Sequence, residues 1–205
     1  NNFDDITSIP DSLLPHVRTD IVRYLQTSDL QIPRMQLDYF WSPFKNIYAK
    51  VSGGILEPMY GGMGFEALYK PFGKNYSIAI ESYLVKKRDF DQRFAFRNYK
   101  TSTGHISIAS KHPLGIDSVI SYGRYLAKDD GITVDLSRTT NSGFKAGIYF
   151  SITDVPTELF GEGSFDKGFY FQIPLDLFAN SYSGKSSNFK LSPLTRDGGA
   201  KLQQG

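Results

Sequence analysis

Apolar and polar residues alternate along most of this chain, in segments of about eight to eleven residues. In one such segment Phe144, Ile148 and Phe150 fall on one side, and Lys145 and Tyr149 fall on the other. A period of two is typical of a β-strand that has one face in an apolar environment and the other in a polar one. Helical spacing is almost absent, so the pattern predicts an all-β protein.

Turn-forming residues separate the alternating segments at intervals of about 12 to 18 residues. Gly, Asn or Asp within 42–46, 71–75, 128–131 and 140–143 favours the positive φ angles of tight hairpins. These signals predict about twelve antiparallel strands joined in chain order. The predicted strands span residues 16–26, 33–41, 47–56, 62–70, 76–88, 92–102, 104–111, 116–127, 131–139, 143–153, 167–177 and 187–195.

We interpret these strands as an antiparallel, up-and-down transmembrane β-barrel of about twelve strands. A closed ring has no unpaired strand edge, and lipid requires closure because it offers no water to backbone N–H and C=O groups. Aromatic residues near predicted strand ends, such as Trp41, Phe44 and Tyr69, fit an interfacial girdle. The alternative is a soluble β-sandwich, which would bury the apolar face between two layers.

The barrel interpretation assigns alternate residues to lipid and to a polar lumen. We expect residues 1–15 to form an N-terminal segment that is mostly loop, residues 16–197 the barrel, and residues 198–205 a C-terminal tail. The lipid-facing candidates are Phe144, Ile148, Phe150, Phe169 and Phe171. The lumen-facing candidates are Lys50, Glu66, Asp135, Lys145, Tyr149, Tyr170 and Gln172.

Composition argues against several other classes of protein. The 205 residues include 23 basic and 21 acidic ones, which are intermixed, so there is no basic stripe of the kind that binds nucleic acid. No apolar run approaches the roughly 20 residues of a membrane-spanning helix. The chain has no Cys and three scattered His, which argues against disulfides and metal sites, and we expect no cofactor.

Six strings, taken in their order along the chain, are more specific than this pattern. They are YGGMGFEALYKPFG at 60–73, KRDFDQRF at 87–94, TGH at 103–105, GRYLA at 123–127, FGEGSFDKG at 160–168 and PLTRDGG at 193–199. The ordered set resembles the YjbH family, which includes the GfcD-type proteins of capsule gene clusters. The resemblance extends from about Gln31 to Leu202, which is most of the chain.

The resemblance implies an outer-membrane lipoprotein of a Gram-negative bacterium, made with exopolysaccharide or capsule gene products. It also implies that this chain is the C-terminal region of a longer protein with more than one barrel-forming region. The chain itself carries neither a signal segment nor a lipid-acceptor Cys. The expected partners are outer-membrane lipid, the exopolysaccharide, periplasmic export proteins and the N-terminal part of the same protein.

Two charged strings and one further residue are candidate contacts for a polysaccharide or a protein partner. The first string places four charges within six residues: Arg88, Asp89, Asp91 and Arg93. The second combines aromatic rings with charged groups, as sugar binding requires: Phe160, Glu162, Phe165, Asp166 and Lys167. Arg196, after the last predicted strand, is the further candidate. A solvated loop with salt bridges would explain the first string, and folding of the loop against the barrel mouth would explain the second. Arg196 would, most simply, mark the end of the last strand.

No motif predicts catalysis, because carboxylates on strands would occur in any polar lumen. We therefore expect a non-enzymatic outer-membrane barrel that takes part in exopolysaccharide or capsule secretion, or that anchors its export assembly. One alternative is a non-conducting structural barrel that docks periplasmic partners. Another is a soluble carbohydrate-binding β-sandwich. The sequence leaves open whether the lumen is an open pore, since small barrels are often filled by side chains.

Overall fold

In a computed structural model of the chain, the structure describes residues 15–26, 31–155, 166–174, 186–191 and 197–203. The described part contains one short helix, α1 (Ile21–Leu25), and ten strands. The strands are β1 (Met35–Phe44), β2 (Ile47–Ile55), β3 (Tyr60–Tyr69), β4 (Tyr76–Arg88), β5 (Phe96–His112), β6 (Ile116–Arg124), β7 (Asp130–Thr139), β8 (Lys145–Thr153), β9 (Asp166–Pro174) and β10 (Ser186–Leu191).

All ten strands belong to one antiparallel sheet, in which each strand pairs with the next along the chain. Within the described residues, β1 pairs only with β2 and β10 only with β9, so the sheet is open between these two edges. The all-β fold and the up-and-down connectivity are therefore confirmed. Closure of the sheet into a barrel of about twelve strands is not confirmed.

The sheet curls strongly around a short C-terminal segment. Gly199 lies against Ser151 and Asp166, in β8 and β9, whereas the carbonyl oxygen of Gln203 accepts a hydrogen bond from Arg34, directly before β1. Four residues extend at most about 14 Å, but β1 and β9 would lie about 38 Å apart in a flat sheet. The segment reaches both sides only because the sheet wraps around it.

The convex side of the sheet, termed the outer face, is apolar and exposed. Its side chains include Leu84, Ile106 and Ile148, which are 61%, 48% and 55% exposed. The concave side, termed the inner face, carries Ser, Thr, Tyr and charged residues, and Thr103 and Ser121 are buried there. The alternation in the sequence therefore predicts the two faces correctly. Among the described strands no second sheet covers the outer face, as a sandwich would require.

Two of the predicted strands, 92–102 and 104–111, form the single 17-residue strand β5. The strand continues through Gly104, which lies at a point of close approach to β4. A Cβ atom at Gly104 would lie 2.6 Å from the carbonyl oxygen of Glu81 on β4. Residues 92–95 belong to the turn before β5.

The predicted strand at 16–26 is wrong, because this segment turns into the helix α1. Ile21 and Tyr24 are three residues apart in α1, which places them on one side of the helix, and Val17 lies in the turn before it. Val17 and Tyr24 are almost completely buried. In the part of the chain that the structure describes, no helix is long and apolar enough to cross a bilayer.

Candidate functional site on the inner face

Both terminal segments meet three strand-connecting turns at one end of the inner face. This cluster, termed the hub, comprises residues 15–26, 56–59, 89–95, 125–129 and 197–203. Its buried apolar side chains and those packed with them include Val17, Tyr24, Leu56, Met59, Tyr60, Tyr83, Val85, Leu126, Ala127 and Leu202. The main hydrophobic core of the described residues therefore lies at one end of the curled sheet.

Asp197 joins the two terminal segments of the hub. Its buried carboxylate accepts hydrogen bonds from the backbone N–H groups of Val17, Arg18 and Thr19, at 2.7 to 3.1 Å. The hydroxyl of Thr19 donates a fourth hydrogen bond, at 3.0 Å. Hydrogen bonds to an ionised acceptor are stronger than neutral ones. This single side chain therefore fixes two segments that are 178 to 180 residues apart.

Arg18 forms a second link within the hub. Its guanidinium donates to both carboxylate oxygens of the buried Glu57, at 2.6 and 3.0 Å, and to the carbonyl oxygen of Lys201 at 2.7 Å. The backbone N–H of Gln203 also donates to Glu57, at 2.8 Å. Burial lowers the pKa of Arg18, but the charge and hydrogen bonds of Glu57, with the nearby Tyr60 and Asp197, together outweigh this and hold that pKa above its ordinary value. The guanidinium of Arg18 therefore stays charged inside the hub.

The charged string at 88–93 lies in the hub, and Arg88 is completely buried. This corrects the prediction that Arg88 contacts a polysaccharide or a partner. Its guanidinium instead donates to four backbone carbonyl oxygens of two neighbouring turns, those of Glu57, Pro58, Gln92 and Arg93. The residue therefore holds the turns together.

The other three charges of this string remain partly or fully exposed. Asp91 accepts a hydrogen bond from the backbone N–H of Arg93 at 3.0 Å, and Asp89 pairs with Arg97 at 3.3 Å. Both carboxylates stabilise the local turn. The predicted contact role of Asp89, Asp91 and Arg93 stays a prediction.

On β2–β5 the inner-face side chains bond to one another beneath the hub, and this region is termed the filled half. Lys50 and Glu66 form an ion pair at 2.7 Å, and the hydroxyl of Tyr83 also donates to Glu66. The ring of Tyr83 lies over Gly64, where a Cβ atom would come within 2.0 Å of it. Tyr83 is only 3% exposed.

On β6–β9 the inner face and the hub enclose a cavity of about 610 Å³, and this region is termed the cavity half. The ring of Tyr170 lies over Gly147 there, and its hydroxyl donates to Asp135 at 2.8 Å. The residues that line the cavity are Arg18, Ile21, Asp117, Val119, Ser121, Thr133, Asp135, Ser137, Lys145, Tyr149, Ser151, Asp166, Tyr170, Gly199, Ala200, Lys201, Leu202 and Gln203.

The lumen-facing candidates thus divide between the two halves. Lys50 and Glu66 pair with each other in the filled half. Four others line the cavity: Asp135, Lys145, Tyr149 and Tyr170. Gln172 lies opposite Lys145 in the pairing of β8 with β9, which places it on the same face. All seven therefore lie on the inner face.

Burial in the hub shifts the pKa of two groups near the cavity. It lowers the pKa of Lys201, against the opposing charges of Glu81 and Asp135. It raises the pKa of Asp129, although the backbone N–H of Gly199 donates to this carboxylate at 2.7 Å. Both shifts favour the uncharged form, because the charged form loses hydration on burial.

The second predicted contact string is only partly described. Phe160, Glu162 and Phe165 lie outside the described residues, as does Arg196. Asp166 begins β9 and lines the cavity, whereas its neighbour Lys167 is exposed and pairs in register with Phe150 of the outer face. Strand alternation therefore separates these two charges onto opposite faces.

The lipid-facing candidates lie on the outer face of β8 and β9 or directly before β8. Ile148, Phe150 and Phe169 are 55%, 36% and 47% exposed. Phe144 and Phe171 are partly exposed and, with Ile148 and Phe169, line an outer-face groove of about 470 Å³. None of these five is buried between two layers.

Sequence reasoning missed the residues that build the hub, including Arg18, Glu57, Asp197 and Lys201. Asp197 stood in one of the quoted strings, but nothing local indicated its partners almost the whole chain length away. The helical spacing of Val17, Ile21 and Tyr24 was the one signal that could have identified the first segment as a separate element.

Comparison with known proteins supports the resemblance to the YjbH family. The family described as "Exopolysaccharide biosynthesis protein YbjH" matches residues 1–205. The chain is 38% identical over 210 residues to the uncharacterized lipoprotein YjbH of Escherichia coli strain K12. That alignment covers 98% of this chain but only 30% of the longer protein. No solved structure matches the chain.

Proposed function

Since the chain belongs to the YjbH family of exopolysaccharide biosynthesis proteins, we propose that it is part of an outer-membrane β-barrel that serves exopolysaccharide or capsule export. In this proposal the outer face contacts lipid, the inner face lines a polar interior, and the chain has no catalytic role. The rest of the longer protein supplies periplasmic contacts and the strands that complete the ring.

The exposed apolar outer face is the observation that carries this proposal. Large aliphatic side chains face outwards on neighbouring strands, among them Leu84, Ile106, Ile120 and Ile148, each at least 48% exposed. A continuous apolar surface of this kind is rare on soluble monomers, and it marks a surface that contacts lipid or another protein. The opposite polar face fits the alternation of a transmembrane strand.

Hydrophobic length supports the same proposal. On β6 the outer-face residues from Ile116 to Tyr122 span about 20 Å, at about 3.4 Å for each residue. Transmembrane barrels carry an apolar band about 25 Å tall between polar margins. Arg124 and Asp130 form an ion pair on the outer face at the hub end of this band. The outer-face groove could accommodate an acyl chain.

Lipid contact can be tested with pairs of adjacent residues that differ only in the face on which they lie. Ile120→Cys and Val119→Cys on β6, and Ile148→Cys and Tyr149→Cys on β8, place one thiol each in a region that has no other Cys. Each variant of the full-length protein is labelled with a small fluorophore and inserted into bilayers that contain brominated lipid. We expect quenching at positions 120 and 148 and little at 119 and 149. Equal quenching within each pair would contradict the proposal.

A non-conducting scaffold is the second candidate function, and the hub favours it. The hub lies across one end of the inner face and is held by buried ion pairs and hydrogen bonds, such as those of Arg18 and Asp197. Conductance of the full-length protein in planar bilayers separates the two roles. Steady conductance would support export through the interior, whereas its absence from protein that passes the lipid-contact test would favour the scaffold.

A further inference from the structure

We propose that the cavity half binds an uncharged pyranose unit of a polysaccharide, an inference that rests on the exopolysaccharide role proposed above. The cavity has a volume of about 610 Å³, which is within the range of small-molecule sites. It combines an aromatic surface with carboxylate and hydroxyl groups. These are the two kinds of contact that a sugar ring makes, through its C–H groups and its hydroxyls.

Tyr170 supplies the aromatic surface. A Cβ atom at Gly147 would lie 2.4 to 2.7 Å from three atoms of the Tyr170 side chain, so this ring lies against the strand backbone. One face of the ring is covered by Gly147, and the other is turned towards the cavity that Tyr170 lines. The hydrogen bond to Asp135 holds the ring in this orientation. A pyranose can stack on such a fixed ring without ordering it first.

Polar groups around the cavity match the hydroxyls of a sugar. Asp117 contributes a carboxylate that can accept hydroxyl protons, and Ser121, whose hydroxyl accepts from Ser107, can donate its own proton. Asp117 lies next to the cavity wall formed by Val119, so it can reach a ligand stacked on Tyr170. Hydrogen bonds to an ionised acceptor are stronger than those to a neutral one.

Charge balance in the cavity favours an uncharged ligand. The lining includes three cationic side chains, those of Arg18, Lys145 and Lys201, and three carboxylates, those of Asp117, Asp135 and Asp166. Arg18 is already paired with Glu57. An anionic sugar would therefore gain little net attraction, because the three lining carboxylates outnumber the two remaining cations, Lys145 and Lys201.

The filled half provides the internal control for this proposal. Tyr83 lies over Gly64 and bonds to Glu66 as Tyr170 lies over Gly147 and bonds to Asp135. Tyr83 is buried under the hub, however, and has no free ring face. The same local arrangement is thus a packed element in one half and an accessible surface in the other.

Saturation-transfer NMR on the full-length protein in phospholipid nanodiscs tests the proposal. Glycosidic detergents are avoided, because their headgroups would compete. The probes are maltohexaose and cellohexaose, which are uncharged, and a hexamer of galacturonate, which is anionic. We expect saturation transfer to at least one uncharged probe, a Tyr170→Ala affinity lower by about fivefold or more, and a smaller loss for Asp117→Asn. Tyr170→Phe keeps the ring but loses the hydrogen bond that orients it, so its affinity should lie between those of the unmodified protein and Tyr170→Ala.

Tyr83→Phe is the matched control and should bind like the unmodified protein. Saturation transfer to neither uncharged probe, or to the galacturonate probe alone, would overturn the proposal. Binding that survives both Tyr170→Ala and Asp117→Asn would overturn it too. If the Tyr170→Ala variant does not insert into the nanodiscs, the affinity of the Asp117→Asn variant decides whether the cavity binds the sugar. Lipid quenching on the same preparation reports on the membrane role separately, so failure of sugar binding with quenching intact would reject this inference alone.

Discussion

The filled half and the cavity half are built alike but are used differently. In each, a tyrosine lies over a glycine of the adjacent strand and donates to a carboxylate. Tyr83 donates to Glu66 on the adjacent β3, and Tyr170 donates across β8 to Asp135 on β7. The hub packs directly on Tyr83, whereas a cavity remains beside Tyr170. The inner surface of one sheet can therefore be core at one place and a binding surface at another, depending on where the terminal segments lie.

The largest expected effect comes from removing the side chain that fixes the hub. Asp197→Ala leaves three backbone N–H groups and one hydroxyl without their acceptor, so we expect the free energy of unfolding to fall by about 3 kcal/mol or more. The hub would then cover Tyr83 less tightly and the two halves would become more alike. Chemical denaturation of the full-length protein, with proteolysis of the terminal segments as a second readout, measures this.

Asp91→Ala is the control, because Asp91 accepts a single hydrogen bond within an exposed turn. It should change stability by about 0.5 kcal/mol or less. Equal effects of the two substitutions would mean that the hub contributes little to the difference between the halves.

Charges on the outer face should affect both halves equally. Leu84→Lys on β4 and Ile148→Lys on β8 would each cost about 2–4 kcal/mol if these positions lie in the apolar region of a bilayer. Ser107→Lys on the inner face should cost less, since a polar interior accommodates a charge. Equilibrium unfolding of the three variants from bilayers gives the change in the free energy of unfolding for each. A loss near zero for both outer-face variants, as expected of an exposed site in water, would argue against lipid contact.

Replacing the glycine beneath each tyrosine with alanine should show the difference between the filled half and the cavity half most directly. Gly64→Ala pushes the Tyr83 ring against the packed hub, with an expected cost of about 1–3 kcal/mol. Gly147→Ala lets the Tyr170 ring move into the cavity, so its cost should be about 1 kcal/mol or less. Denaturation midpoints of the two variants provide the comparison. A greater loss for Gly147→Ala would show that the space beside Tyr170 does not relieve the clash.

The smallest effect is a pH dependence at the hub. Burial raises the pKa of Asp129 above its ordinary 3.8, so the folded protein binds this proton more tightly than the unfolded chain does. The resulting stabilisation is complete below the ordinary pKa and is lost as pH rises through the folded-state pKa. Asp129→Asn keeps an acceptor for the N–H of Gly199 but cannot titrate. As the pH falls from neutral to about 4, the free energy of unfolding of the unmodified protein should therefore rise by about 1 kcal/mol relative to that of this variant. Denaturation at each pH measures this difference. A constant difference would contradict the assignment.

The sheet could be predicted from the sequence because its signals are local. Alternation assigns Ile148 and Tyr149 to opposite faces, and turn residues mark most of the hairpins. The prediction divided β5 at residue 103, whereas the strand continues through Gly104, where close packing against β4 requires a glycine. The family, too, could be recognised from ordered strings.

The hub and the cavity could not be predicted, because they depend on distant contacts. Arg18 pairs with Glu57, and Asp197 binds the backbone next to Arg18, yet no spacing rule connects these positions. Tyr83 and Tyr170 both occupy inner-face positions of alternating strands, so the alternation alone does not distinguish them. Only the position of the terminal segments decides which of them is covered.

The link between Asp197 and Val17 also constrains the order in which the molecule can be assembled. The two groups are 180 residues apart, so synthesis of nearly the whole chain must precede their contact. Bringing such distant residues together is slow unless intervening structure already holds them close. Hairpins between consecutive strands can form first, because their partners are near neighbours in sequence. Capture of the N-terminal segment by Asp197 is therefore expected to be a closing step, which secures a curled sheet that the hairpins have already built.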